Sequence, residues 1–437
     1  MTGQLIYDFI KELFNIPRSI TGDGVRKTLQ MIKKEHLPNL QIHEIPTGQE
    51  IEDWLIPKEW NIYDAYIKNS KGEKIVNFND NNLHVLNYSI PVDKEVDIEE
   101  LDAHLYSLPS QPEAIPYVTS YYSEKWGFCL SHNQRRELVD NDDNVNKSKF
   151  SVFIDSKLEA GKLTYADLVI QGREKEEIFF STYICHPSMA NNELSGPGVS
   201  TYLAKYLSER TNRYTYRFCF APETIGAITY ISKNINRLRK VYAAFNLTCV
   251  GDSKSFSFMP SKKGNSITDK VARHMMKHQN DSYKEYSFMN DRGSDERQYC
   301  APGVDLPMVS IMKSKYGEYP EYHTSLDNMD FISTDGLENS YKIHLECIEI
   351  LENNFNYKST VLGEPFLSKR GKSYMIVGGE ENDASRSAKL ILDIMTYCDG
   401  SMDIIDLAEK LNMYAINLIP VLNSLKEDNL IEQVDPS

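Results

Sequence analysis

Apolar positions recur at helical spacing from the start of the chain. Leu5, Ile6, Phe9, Ile10, Leu13 and Phe14 predict a helix over 4–15, and a second follows over 24–34 after the turn-rich PRSITGDG. From about Pro57 the rhythm changes to short Tyr-, Val- and Ile-rich runs broken by Asn, Gly and Lys, as in YDAYIKNSKGEKIVNF and KFSVFIDSKLEAGKLTYADLVIQG. Such runs predict small antiparallel hairpins, a β-rich segment ending near residue 172. Beyond it, IFFSTYIC, YTYRFCF, VYAAFNLTCV and LPMVSIM read as buried strands, separated by the helical patterns GVSTYLAKYLSER, TIGAITYISKNI and SITDKVARHMMKHQN. That alternation predicts an α/β fold with a mainly parallel sheet flanked by helices, in which ligands sit at the carboxyl ends of the strands. A long helix over 334–354 closes this unit. After Val361 three short amphipathic helices precede LIEQV, the pattern of a winged helix-turn-helix. The expected division is an α/β domain over 1–58 and 173–358, a β-rich inserted domain over 59–172, and a winged helix domain over 361–437.

The chain has 437 residues and a formal net charge of −15, which excludes a small stapled scaffold and argues against a dedicated binder of nucleic acid or anionic membranes. The charge also bears on the winged helix. Its residues 361–437 carry 7 Lys plus Arg against 13 Asp plus Glu, and the recognition-helix stretch from Met413 to Asn429 has Lys426 as its one basic group. Phosphate contacts need several, so this module is expected to pack on the body or on a partner subunit, with a homo-oligomer left open and nucleic acid disfavoured. Asp8, Lys11 and Glu12 interrupt the apolar N-terminal pattern, which therefore does not read as a signal peptide, and no stretch approaches the ~18 apolar residues of a membrane span. A cytoplasmic protein is expected. Seven scattered Cys without a CxxC pair fit reduced thiols.

Candidate chemistry gathers where strands end. The first strand runs into His186 and, six residues on, Asn192, in a small-residue loop that opens a helix; an imidazole and a side-chain oxygen so placed can hold a divalent cation. The second ends at Glu223, where a carboxylate can act as general base. The third ends in Asn246-Leu247-Thr248-Cys249-Val250-Gly251-Asp252; Asp295 and Arg297 precede the last strand, and His323 follows it. Taken alone, the His186–Asn192 loop and Glu223 read better as turn and capping chemistry, His323 equally as a surface loop histidine, and Asp295 with Arg297 equally as a surface ion pair. Their convergence on one sheet edge raises the functional reading.

ICHPSMANNELSG, PETIGA, NLTCVGD, GSDERQYCAPGVDLP and EYHTSLDNMD, in this order, resemble the M28 zinc aminopeptidases, and more closely the bacterial aminopeptidase-like proteins first catalogued as domains of unknown function. The resemblance covers the helical opening and 173 to about 355. It implies that His186 and His323 bind metal and that Glu223 is the general base. The family's bridging Asp corresponds to Asn192, its second Glu to Thr224 and its later Asp to Thr248. Losing three carboxylates removes the charge that offsets two close cations, so the resemblance implies one zinc rather than two, held by His186, Asn192 and His323, with Glu193 or Asp252 as candidates for the missing carboxylate.

The implied activity is metal-dependent hydrolysis of an N-terminal peptide or related amide bond in a small substrate, with Asp295 and Arg297 as candidates for substrate binding or support of the site. A peptidase fold turned binding protein and a regulator acting through the winged helix are the competing readings. For the β-rich segment, with Tyr121, Tyr122 and Trp126, a lid or dimer surface stands beside a plain core role.

Overall fold

The computed structural model describes residues 1–140, 149–279, 282–372 and 383–434. Parts of the expected β-rich and winged helix segments, 141–148, 373–382 and 435–437, thus lie outside the described residues. The chain divides into two compact units, Met1–Thr268 with Asp281–Tyr341, and Asp269–Asn280 with Lys342–Ser437.

In the first unit, four apolar strands form the parallel heart of a mixed sheet: Thr215–Ala221, Glu177–Tyr183, Val241–Asn246 and Met308–Met312, in that spatial order. All seven residues of Thr215–Ala221 are buried, as expected of a strand covered on both faces. Antiparallel strands extend both edges. Gln41–Pro46 and Lys162–Ile170 lie on one side, and Ser257–Met259 pairs antiparallel to Met308–Met312 on the other. Lys162–Ile170 is therefore part of the main sheet, although its sequence style matches the β-rich segment before it. Its buried run Leu163 to Ala166 fits a sheet covered there on both faces.

The β-rich segment builds a separate antiparallel sheet in the order Lys74–Asn77, Glu59–Lys68, Phe150–Glu159, Val92–Val96. One apolar core nevertheless runs from Trp60, Ile67 and Val152 in this sheet to Phe179, Cys219 and Tyr230 beside the main one. The two sheets share their hydrophobic driving force, so the segment is built into the unit. The seven cysteines are buried thiols.

The second unit holds the helix Ile267–His278 from residue 269 onward and the C-terminal module. In that module the helices Asp383–Tyr397, Ile404–Leu411 and Ala415–Glu427 accompany a three-stranded sheet, Asp399–Asp403, Asn356–Ser359, Ile431–Val434. Its central strand precedes residue 361, so the winged helix sheet starts earlier in the chain than the helical pattern alone suggests. Asp403 caps the second helix by accepting from the amides of Ile405 and Asp406, at 3.0 and 2.9 Å. Among the described residues, no helix is long and apolar enough to cross a membrane.

Candidate functional site

Past the strand Glu177–Tyr183 the chain enters a buried wide turn, Ala190–Leu194, that leads into the helix Ser195–Ser208. A buried turn needs partners for its amides. Asp327, from the final HTSLD stretch, supplies them: its carboxylate accepts from the amides of Ala190, Asn191 and Asn192 at 3.1, 2.6 and 2.9 Å, and from the Tyr319 hydroxyl at 3.0 Å. The first and last candidate loops are thereby tied together. Replacing Asp327 by Ala leaves these donors buried without an acceptor, and is expected to cost about 3 kcal/mol in urea denaturation.

His186 is held from behind. Its Nδ1 lies 2.7 Å from Glu193 Oε2, while Oε1 of the same carboxylate accepts from the Cys185 amide at 2.5 Å. The buried Arg18 donates to the His186 carbonyl at 3.0 Å and sits 3.9 Å from Glu193. Cys185, His186 and Glu193 each bring a potential metal-ligand atom within 4.8 Å of the others. They converge on Nδ1, however: ionised Glu193 accepts from Nδ1–H and leaves Nε2 as a lone-pair donor, whereas protonated Glu193 donates to Nδ1 and leaves the hydrogen on Nε2. Glu193 thus backs the imidazole, and Nε2 faces Glu223 at 3.8 Å.

Glu223 owes its position to a strained neighbour. Thr224 has φ 62° and ψ −76°, a γ-turn conformation costly for a β-branched residue, closed by the Ile225 amide donating to the Glu223 carbonyl at 2.8 Å. Two contacts hold it there. The Thr224 amide donates to Asp295 Oδ1 at 2.8 Å, and the Arg297 guanidinium donates to its hydroxyl at 2.9 Å. Asp295 and Arg297 therefore act on the turn that aims Glu223. Burial, then the neighbouring Asp295, push the Glu223 carboxyl well above the usual carboxylate range.

His323 also has a left-handed backbone, φ 55°, and stacks on Tyr322 with ring centroids 3.9 Å apart. Its ring lies 5.2 Å from that of His186, and its buried Nε2 has no hydrogen-bond partner among the described residues. Tyr117, from the β-rich segment, packs against both imidazoles at 5.1 and 5.2 Å and donates its amide to the His323 carbonyl at 2.8 Å. Sequence reading missed Tyr117, which lies in IPYVTS without any catalytic pattern. It also missed Arg18, whose charge gave no hint of burial.

Asn192 reaches a neutral network. Tyr183 donates to Asn192 Oδ1 at 2.9 Å and lies 2.6 Å from the Thr248 hydroxyl, which donates to the Asn192 carbonyl at 3.1 Å. Of these, Asn192 and Thr248 are the positions for which the resemblance to the aminopeptidases implies carboxylates. Asp252 is engaged elsewhere, accepting from Asn191 Nδ2, the Ser314 amide and the Lys254 amide at 3.0, 3.0 and 2.8 Å.

Two of the side chains gathered here are nitrogen donors of the kind that suits zinc. An orphaned buried imidazole nitrogen on His323 and a lone-pair nitrogen on His186 are what zinc takes, and Glu223 lies beside them. Burial holds both imidazoles in the neutral form required for metal, with pKa values lowered to about 3. Burial also raises Asp327 to about 6, Asp295 to about 7 and Glu193 to about 8. A raised acid keeps its proton in the folded chain after the unfolded chain has released it, so its stabilisation is lost as pH rises through the folded value. The lowered histidines contribute in the opposite sense, fully above about pH 6.5 and progressively less down to 3. The metal-free protein is therefore expected to lose stability from pH 6 to pH 8, read as a falling urea midpoint.

Parallel strands with a histidine-bearing loop at either end of the site and a carboxylate between define an aminopeptidase-like α/β protein carrying a C-terminal winged helix. The chain belongs to the family described as domain of unknown function DUF4910, which matches residues 7–354, and a winged helix-turn-helix family matches 355–433. It is 45% identical over 413 residues, 94% of this chain and 92% of the relative, to a Clostridium acetobutylicum protein provisionally described as a polysaccharide biosynthesis protein with an aminopeptidase-like domain. A crystal structure from C. acetobutylicum, provisionally described as a peptidase, is 42% identical with TM-score 0.91, covering 99% of this chain and 97% of that one. A Bacillus subtilis zinc aminopeptidase shares the fold at 12% identity and TM-score 0.56, over 79% of this chain and 94% of that one. A Shewanella amazonensis M28 peptidase precursor does so at 13% identity and TM-score 0.53, over 83% and 95%.

Proposed function

We propose that this protein is a hydrolase using one zinc ion, held by His186, His323 and the Asn192 amide oxygen, to cleave an N-terminal peptide or related amide bond. The observation that carries the reading is the orphaned His323 Nε2 beside a His186 whose Nδ1 is already fixed by Glu193. Zinc, when bound, supplies Lewis-acid polarisation of the scissile carbonyl and acidification of water.

The remaining work falls to the chain. Glu223, with about a quarter of its side chain open to solvent, takes a proton from the attacking water on its carboxylate and returns it to the departing amine. Its raised proton affinity suits both halves of that exchange. Glu193 and Arg18 keep the His186 ring oriented, and Asp295 with Arg297 keep Glu223 from swinging away.

The neutral Tyr183–Asn192–Thr248 network favours one ion over two, and is also the observation behind the rival reading of a binding protein. One experiment separates them. Purified protein dialysed against zinc is assayed for bound metal and for release of p-nitroaniline from aminoacyl p-nitroanilides. About one zinc per chain with turnover supports the hydrolase. Bound zinc without turnover favours the binding protein, and no stoichiometric zinc at neutral pH overturns the proposal.

A further inference from the structure

At one edge of the main sheet, Ser257 pairs with Lys284 of the short strand Lys284–Glu285 on one side and with Met312 on the other. That register brings three chain segments to one open pocket of about 440 Å³, whose walls include Lys254, Lys284, Lys313, Lys315, Phe256 and Tyr286. Four lysines thus meet on a chain whose net charge is −15. Glu318 is the one carboxylate among the described lining residues.

Like charges gathered in one concavity repel unless something steadies them. Glu318 does part of this, lying 2.9 Å from Lys284 and 3.7 Å from Lys315 and accepting from the Tyr286 hydroxyl at 2.7 Å. Aromatic faces do more. The Lys313 ammonium lies 3.6 Å from the centre of the Phe256 ring, that of Lys284 4.2 Å from Tyr286, and that of Lys315 4.8 Å from Tyr316. A ring face holds an ammonium without cancelling its charge, so these lysines keep their pull on an anion. The Ser314 hydroxyl, on the same wall, has no hydrogen-bond partner among the described residues and so has a proton to donate. Asp252 does not compete, because its oxygens accept from the Ser314 and Lys254 amides and from Asn191 Nδ2.

We infer that this pocket binds a small phosphate-type anion carrying two or more negative charges. Lysine acts on a phosphoryl group as a point charge, whereas a planar carboxylate is best held by the fork of an arginine, and no described lining residue is an arginine. The concave shape suits a small molecule, while a nucleic-acid backbone needs cations laid out along a face.

The test is isothermal titration of the full-length protein, at low ionic strength and without added zinc, with pyrophosphate, inorganic phosphate, ADP and malonate. Pyrophosphate is expected to bind more tightly than phosphate, and at least about tenfold more tightly than the dicarboxylate malonate, with an affinity that falls as NaCl is added. Lys254→Gln combined with Lys284→Gln, both at exposed positions, is expected to weaken binding at least about tenfold, the size of one hydrogen bond to a charged group. Glu318→Gln removes the competing charge and still accepts from Tyr286, so it is expected to strengthen binding about fivefold, which damage to the fold would not do. ADP binding as tightly as pyrophosphate assigns the site to a diphosphate borne by a larger molecule; weaker ADP binding assigns it to the free anion. No saturable binding of pyrophosphate, equal affinity for malonate, or an affinity untouched by all three substitutions overturns the inference. The titration needs neither zinc nor turnover, so pyrophosphate binding without hydrolysis would sink the hydrolase reading alone. Hydrolysis without pyrophosphate binding would sink the anion site alone.

Discussion

Glu223→Gln is expected to lower kcat about a thousandfold on any aminoacyl amide the protein cleaves, with a melting temperature unchanged or raised. The size follows from removing a general base that must both take and return a proton, a contribution of about 10² to 10⁴. The stability half of the expectation is what distinguishes a base from a structural carboxylate. Glu223 sits in a site that already disfavours its charge, with Asp295 raising its proton affinity further, and no hydrogen bond of the Thr224 turn depends on its side chain. An amide of the same shape relieves that electrostatic cost. A large drop in melting temperature, or a kcat within a few-fold of the parent, would remove Glu223 from the catalytic role.

The second large effect concerns metal. Free zinc at about a hundred times its dissociation constant is expected to stabilise the parent by about 2.7 kcal/mol, and His323→Ala to lose that response. Without zinc the same variant is expected to be about 2 kcal/mol less stable than the parent, since ring packing on Tyr322, Tyr117 and His186 is lost and Ala tolerates the positive φ poorly, so the zinc increment and not the baseline reports on the ion. Urea denaturation of both proteins with and without zinc reads this directly. A His323→Ala protein that still gains the full zinc increment would place the ion elsewhere, and the Cys185, His186 and Glu193 cluster is where it would next be sought.

The sequence made the parallel strands and the strand-end residues legible because both rest on local patterns. Buried apolar runs such as YTYRFCF need no partner to be recognised, and His186, Glu223 and His323 announce themselves by following such runs. What stayed hidden depends on residues far apart in the chain. Glu193 was read as a candidate for the metal shell, but which side of an imidazole a carboxylate takes is not written in spacing; here it lies 2.7 Å from Nδ1. Asp295 and Arg297 are seventy residues from the turn they hold, and their task follows from a positive φ at Thr224 that no sequence pattern marks. The strand Lys162–Ile170 shows the same limit for the fold, because its neighbours in the sheet come from both sides of the β-rich segment.

Tyr117 gives the β-rich segment a different standing from that of a cover over a finished site. The chain around it is bonded directly to the loop that carries His323: Ile115 and Ser325 exchange hydrogen bonds, and Gln111 reaches the Pro320 carbonyl at 2.8 Å. A lid can be cut away to leave a more open enzyme. Here the cut would take out a foundation, since the last histidine would lose the segment it is laced to and the ring packed against it and against His186. The candidate site of this chain is thus assembled across its whole first unit, from Arg18 to Asp327, and no shorter fragment of it should be expected to hold it together.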